Sequence, residues 1–177
     1  VQAAKDSGYS YLAITEHSRS LPISGGLNEE RLKAQGKVID TLNLDLDDFR
    51  ELKGSEVDIL KNGSLDFDDD VLEELDIVIG SVHSNFKLER DKQSERIIRA
   101  IKNEKVDIIG HLSGRLLNRR PGYELDREKI LEAAARNKII LEINAHPDRL
   151  DIDEETAKIA KDMGIKVAIN SDAHSKQ

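Results

Sequence analysis

Compact apolar runs alternate with amphipathic stretches along the whole chain, the pattern of β-α-β units laid around a parallel sheet or barrel. Six runs read as strands: Tyr11–Thr15, Arg50–Ile59, Ile77–Ser81, Val106–Gly110, Ile139–Ile143 and Lys166–Asn170. They are rich in Val, Ile and Leu rather than strictly alternating, as strands covered on both faces are. Between them the periodicity predicts helices at about Asn28–Leu42, Asp68–Leu75, Lys92–Lys102 and Asp126–Asn137, and a last helix opened by Asp153 and ended by Gly164. Asn28, Asp126 and Asp153 are placed to cap helix N-termini. Val1–Gly8 reads as the end of a helix closed by a glycine, so the chain reads as starting inside an element, with sequence expected upstream. Gly54 interrupts the second strand and marks a bulge or a close backbone approach. A Ser/Gly/Pro-rich loop, Ser18–Gly26, follows the first strand. No repeat or linker divides the 177 residues, which are expected to form a single domain.

What stands just past each apolar run gives the pattern its chemical meaning. Glu16 and His17, Glu56, His83, His111, Asn144 with His146, and Asp172 with His174 all occupy strand ends. In α/β barrels and open α/β sheets those ends form the functional rim, so residues far apart in sequence converge there. All five histidines fall at such positions. A lone strand-end histidine is commonly a hydrogen-bonded structural residue, and His146, followed by Pro147, is read that way. For His83, His111, Asp172 and His174 the joint placement favours metal ligation. Glu16 reads as a loop charge or an outer support of the site. Glu142, inside the fifth strand, reads as outward-facing or ion-paired.

Composition narrows this further. With no cysteine, disulfides and thiolate ligands are excluded, and imidazole with carboxylate suits Zn²⁺, Mn²⁺ or Fe. Glu56, with two oxygens, can bridge two ions, so more than one is expected. A cytoplasmic setting fits, and no apolar stretch approaches the length of a membrane span. The formal charge of −8 argues against a free-standing nucleic-acid-binding module that relies on a broad basic face. Local basic groups remain. Arg115, Arg119 and Arg120 follow His111, while Arg19 and Arg149 follow His17 and His146; they are either ordinary surface charges or bidentate holders of phosphate oxygens.

Six short motifs in order carry a resemblance. They are Thr15-Glu-His-Ser18, Gly54-Ser-Glu-Val-Asp-Ile59, Ser81-Val-His-Ser84, Gly110-His-Leu-Ser-Gly-Arg115, Glu142-Ile-Asn144 and Asn170-Ser-Asp-Ala-His-Ser175. Together they resemble the polymerase and histidinol phosphatase (PHP) superfamily, most of all the PHP domain at the C-terminus of bacterial family X DNA polymerases. The resemblance implies a distorted (βα)7 TIM-like barrel, N-terminally truncated so that about six strands are present. It implies two to three divalent ions at the C-terminal mouth. Glu56 would bridge two of them, His83 and His111 would bind one, Asp172 the other, and His17 with His174 the third. The family opens with a strand carrying a His-x-His motif, absent before Val1. Glu16 stands where the family usually has Asp, Leu112 where it often has Pro, and His146 where it often has Asn.

The expectation is therefore a metal-dependent phosphoesterase. Glu56, His83, Asp172 and Arg115 would be catalytic, and Arg19, Arg115, Arg119, Arg120 and Arg149 would hold phosphate. By resemblance the substrate is a DNA 3′ end presented by an attached polymerase module, hydrolysed as a 3′-5′ exonuclease or a 3′-phosphatase. The alternatives are a histidinol-phosphatase-like enzyme acting on a small phosphate monoester, and a non-catalytic domain that positions DNA or a polymerase. Oligomeric state is not legible.

Overall fold

In a computed structural model, six parallel strands pair strictly in chain order: β1 (Tyr11–His17), β2 (Arg50–Asp58), β3 (Ile77–Ser81), β4 (Ile108–Ile109), β5 (Ile140–Asn144) and β6 (Val167–Asn170). Residues 1–20 and 25–174 are described; positions 21–24 of the loop after β1, and Ser175 of the last motif, lie outside them. The helices are α1 (Gln2–Asp6), α2 (Glu29–Asn43), α3 (Asp69–Leu72), α4 (Arg90–Ile101), α5 (Arg127–Asn137) and α6 (Glu154–Asp162). A parallel ladder whose order equals its sequence order is what repeated right-handed β-α-β crossovers build. The sheet curls into a half-barrel. Among the described residues β1 and β6 do not pair, yet the curl brings His17, at the end of β1, to a ring-centroid distance of 6.2 Å from His174, beyond the end of β6.

Local chemistry accounts for the starts of α2, α5 and α6. The side chains of Asn28, Asp126 and Asp153 accept the backbone N–H groups of Arg31, Lys129 and Thr156, satisfying donors that the first turn leaves free. Two elements are shorter than their apolar runs: the acidic helix is one turn, and β4 pairs over two residues only. The core lies between the convex sheet face and the helices, with Val57, Val78, Ile109 and Leu141 packed against Ile97, Ile101, Ile130, Leu131 and Ala134. No helix among the described residues is long and apolar enough to cross a membrane.

Gly54 makes no bulge, because the β1–β2 and β2–β3 registers run through it unbroken. It is instead a point of close approach on the concave face. A Cβ there would lie 2.7 Å from Ile77 Cγ2 and 2.8 Å from Thr15 Cγ2. Gly54→Ala is expected to destabilise the fold by about 1–3 kcal/mol, the usual range for overpacking. An unchanged midpoint in urea would show that this face is looser than described.

Candidate metal centre

Because side chains alternate along a strand, the register decides what reaches the mouth. His17 lies opposite Glu56 in the β1–β2 pair, so both project to the concave face, two positions beyond Thr15 and Gly54. The loops after β3 and β4 deliver His83 and His111 to the same place. Glu56 Oε1 is 2.9 Å from His111 Nε2 and 3.2 Å from His83 Nε2, and Oε2 is 3.3 Å from His17 Nδ1. The rings of His17 and His83, and of His83 and His111, meet edge to face at 5.0 and 5.1 Å. His17, Glu56 and His83 each offer a donor atom within 4.8 Å of the others. His17 Nδ1 and His83 Nε2 are buried without a hydrogen-bond partner although both point toward Glu56. Buried lone pairs converging on a carboxylate are the chemistry of a divalent-cation site.

Each of these groups feels the others. Burial would raise the Glu56 carboxyl, but the adjacent His111 and His83 imidazoles hold it well below the usual carboxylate range. Burial lowers His17, with the attraction of Glu56 only partly offsetting it. Burial would lower His83 too; here the hydrogen bond to Asp58 and the proximity of Glu56 win and push it up to about 9. Asp58 Oδ1 lies 3.0 Å from His83 Nδ1, and Asp58 is buried. A carboxylate on one imidazole nitrogen fixes the tautomer and aims the other nitrogen, here Nε2, into the cluster. Asp58 is itself fixed by Ser18 Oγ, which accepts its backbone N–H at 3.0 Å.

A second group of residues faces this one across the mouth. Asp172 Oδ2 accepts from Asn144 Nδ2 at 3.0 Å and lies 3.3 Å from Arg149 Nε. Arg149 Nη1 is buried with no partner. His174 stays mostly exposed, with Nδ1 3.7 Å from Asp172 Oδ1. The two groups join through Glu142. The reading of Glu142 as outward-facing or ion-paired is corrected: it is buried on the concave face, and its oxygens accept from the His111 backbone N–H, Asn144 and Asn170. Burial pushes its carboxyl up, against the pull of the Asn170 hydrogen bond. His146 accepts the Asp148 N–H on Nδ1, as a structural histidine does.

The arginines part company. Of these five, Arg149 is the one that pairs with a candidate ligand, Asp172, among the described residues. Arg115 donates to the carbonyls of Arg149 and Leu150, Arg120 to Gly114 O while lying over the Phe86 ring, and exposed Arg119 pairs with Asp148. Arg19 pairs with Glu29 and Asp66. Sequence reasoning passed over Arg96, whose buried guanidinium donates to Ile59 O, Leu60 O and Ser84 O, tying the segments after β2 and β3 together.

No family model matches the chain. Relatives do. Over 174 residues, 98% of the chain, it is 48% identical to DNA polymerase/3'-5' exonuclease PolX of Bacillus subtilis (strain 168), of whose length it spans 30%. It is 35% identical to a probable phosphatase of Thermoanaerobacter sp. (strain X514), covering 95% of the chain and 75% of that protein. The chain belongs to the PHP family. Its fold matches the histidinol phosphate phosphatase HISK of Lactococcus lactis, solved with Zn, L-histidinol and phosphate, with a TM-score of 0.58 and 18% identity over 99% of this chain and 79% of that one. The PHP domain is a hydrolase domain, and its nitrogen and oxygen donors suit divalent metals.

In the presence of chelator, His83 makes stability depend on pH. Its folded value is raised from 6.5 to about 9, so the stability it contributes is fully present below about pH 6.5 and is lost as pH rises through about 9. Asp58→Ala should flatten that decline. Thermal melts across this window check it, and equal slopes in the two proteins would remove Asp58 from its role.

Proposed function

We propose that the chain is the phosphoesterase domain of a family X DNA polymerase, hydrolysing phosphoesters at a DNA 3′ end as a 3′-5′ exonuclease or 3′-phosphatase. The observation that carries the reading is the convergence of His17, His83 and His111 on Glu56 within 3.3 Å. The 48% identity to the B. subtilis PolX sequence supports the polymerase setting. We assign two to three divalent ions, Mn²⁺ or Zn²⁺ with Fe chemically compatible, to His17, Glu56, His83, His111, Asp172 and His174. Bound there, the ions would supply Lewis acidity toward water and the phosphoryl oxygens.

The remaining work belongs to the chain itself. Glu56, His83 and Asp172 form the catalytic wall. Arg149 binds phosphate: its Nε is engaged by Asp172, while Nη1, buried and unpartnered, is free to donate to a phosphoryl oxygen. Arg115 acts on Arg149 through the backbone carbonyl it holds at 3.0 Å. Arg119, Arg120 and Arg19 serve the surrounding loops. The net charge of −8 leaves most DNA affinity to a polymerase module. The absence of cysteine supports a cytoplasmic setting.

A second reading, a phosphatase for a small phosphate monoester, is favoured by the 35% identity to a probable phosphatase of which the chain covers 75%. The polymerase-linked protein with Mn²⁺ is expected to release nucleotide or phosphate from a primer 3′ end. His83→Ala and Asp172→Ala should each lower that rate by about 100-fold or more. Arg149→Ala should raise KM for the phosphoester by about 10-fold. Turnover of p-nitrophenyl phosphate with DNA left intact would favour the second reading, and full activity in the His83 and Asp172 variants would sink the site.

A further inference from the structure

Glu142 is a buried carboxylate to which the proposed chemistry gives no part, and no lysine, arginine or histidine side chain pairs with it among the described residues. Charge buried without a cation persists where several donors compensate it. Here the donors come from three successive strand ends. Oε2 accepts the His111 backbone N–H at 2.6 Å and Asn144 Nδ2 at 3.3 Å, and Oε1 accepts Asn170 Nδ2 at 2.8 Å. His111 holds φ at +25°, a conformation L side chains rarely adopt, so it depends on something holding it there. Asn144 passes the connection on, since Nδ2 also donates to Asp172 Oδ2 at 3.0 Å. Its amide orientation is set by Oδ1, which accepts the His146 N–H at 3.0 Å. Asp172 likewise sits at positive φ, +50°.

We propose that Glu142 is a positioning residue that fixes the spacing between the two halves of the site, His111 on the Glu56 side and Asp172 on the Arg149 side, by acting as an acceptor-only hub. The inference rests on reading the strand-end cluster as a metal site. A catalytic acid–base role does not suit Glu142: both oxygens are taken and the residue is only 4% exposed. Every partner of Glu142 is a donor, so its isostere glutamine fits poorly. One end of the amide would present N–H against the His111 N–H or against Asn170 Nδ2. The same logic gives a rescue. When Asn170→Asp is combined with Glu142→Gln, the new side-chain amide can donate toward the carboxylate at position 170 while its carbonyl accepts from His111, and the buried negative charge is kept.

The test uses Co²⁺ as the probe, read by equilibrium dialysis and by its d–d absorption in the purified 177-residue chain. Glu142→Gln is expected to weaken Co²⁺ binding on the order of 10- to 100-fold and to change the spectrum. Adding Asn170→Asp should recover most of that loss. Ile130→Ala, in the core on α5, serves as a control for stability loss alone. Nuclear magnetic resonance of the metal-free chain gives an independent reading: Glu142→Gln should shift the His111 and Asp172 amide resonances together and leave that of Ser18 in place. Co²⁺ affinity within twofold of the parent, a loss no greater than in the Ile130 control, or no recovery in the double variant would overturn the role. If the parent chain binds no Co²⁺, the metal reading fails while the paired amide shifts still decide whether Glu142 couples the two halves.

Discussion

A single half-buried carboxylate organises the mouth of this half-barrel. Glu56 is largely withdrawn from water at a strand end, and three imidazoles from three other strand ends answer its charge. A buried charge is tolerable only when compensated, so the ends of β1, β3 and β4 are committed to converge on β2. The supports of the sheet serve that convergence. Gly54 lets β1, β2 and β3 approach closely below the cluster, and Gly110 does the same beside Ser81 and Ile79. Arg96 clamps the segments that leave β2 and β3.

The other half of the mouth is held by loops as well as by the β5–β6 ladder. Asp151, buried, accepts the Ser113 backbone N–H and hydroxyl, pinning the loop after β4 to the loop after β5. Arg115 reaches across the same seam to carbonyls that no ladder satisfies. This explains why the arginines after His111 do not gather at the cluster. A guanidinium has five donors in a rigid fork; loop carbonyls claim those of Arg115 and Arg120, and Asp148 claims Arg119. Arg149 escapes because its neighbour is Asp172 rather than a carbonyl-lined turn.

The strands were legible as apolar runs, although burial on both faces holds only for the inner strands β3 to β5 and the edge strands β1 and β6 stay half-exposed; three helix starts were legible because Asn28, Asp126 and Asp153 make the cap bonds their identities announce. The histidines were legible as a set because strand ends share a rim. Less visible was which neighbour each would touch: His17 faces Glu56 at 3.3 Å and lies farther, ring to ring, from His174. Asp58 was given no role and Glu142 was read as outward-facing or ion-paired for a common reason. An acidic residue within an apolar run reads as an exposed edge unless the phase of the strand is known. Glu142 and Asn144 are two apart and share a face, as do Glu56 and Asp58, so the phase was present in the sequence once Glu56 was placed inward. The shortening of β4 to two residues had no such signal, since Val106 and Gly110 fit a longer strand by composition.

Counting charge at the mouth orders the events there. Glu56, Asp58, Glu142 and Asp172 face the concave side or its rim, against the His83 imidazole, pushed up to about 9, and Arg149, the guanidinium with a donor to spare. A phosphoester carries negative charge, and in a partly desolvated cleft like-charge repulsion is poorly screened. The surface therefore attracts cations before it attracts phosphate, and affinity for an anionic ester has to follow neutralisation of the carboxylates. Arg149 is suited to the boundary between those two states. Its Nε answers Asp172 from one side while Nη1 stays unpaired, so one guanidinium can hold a carboxylate in place and still offer a donor to the substrate.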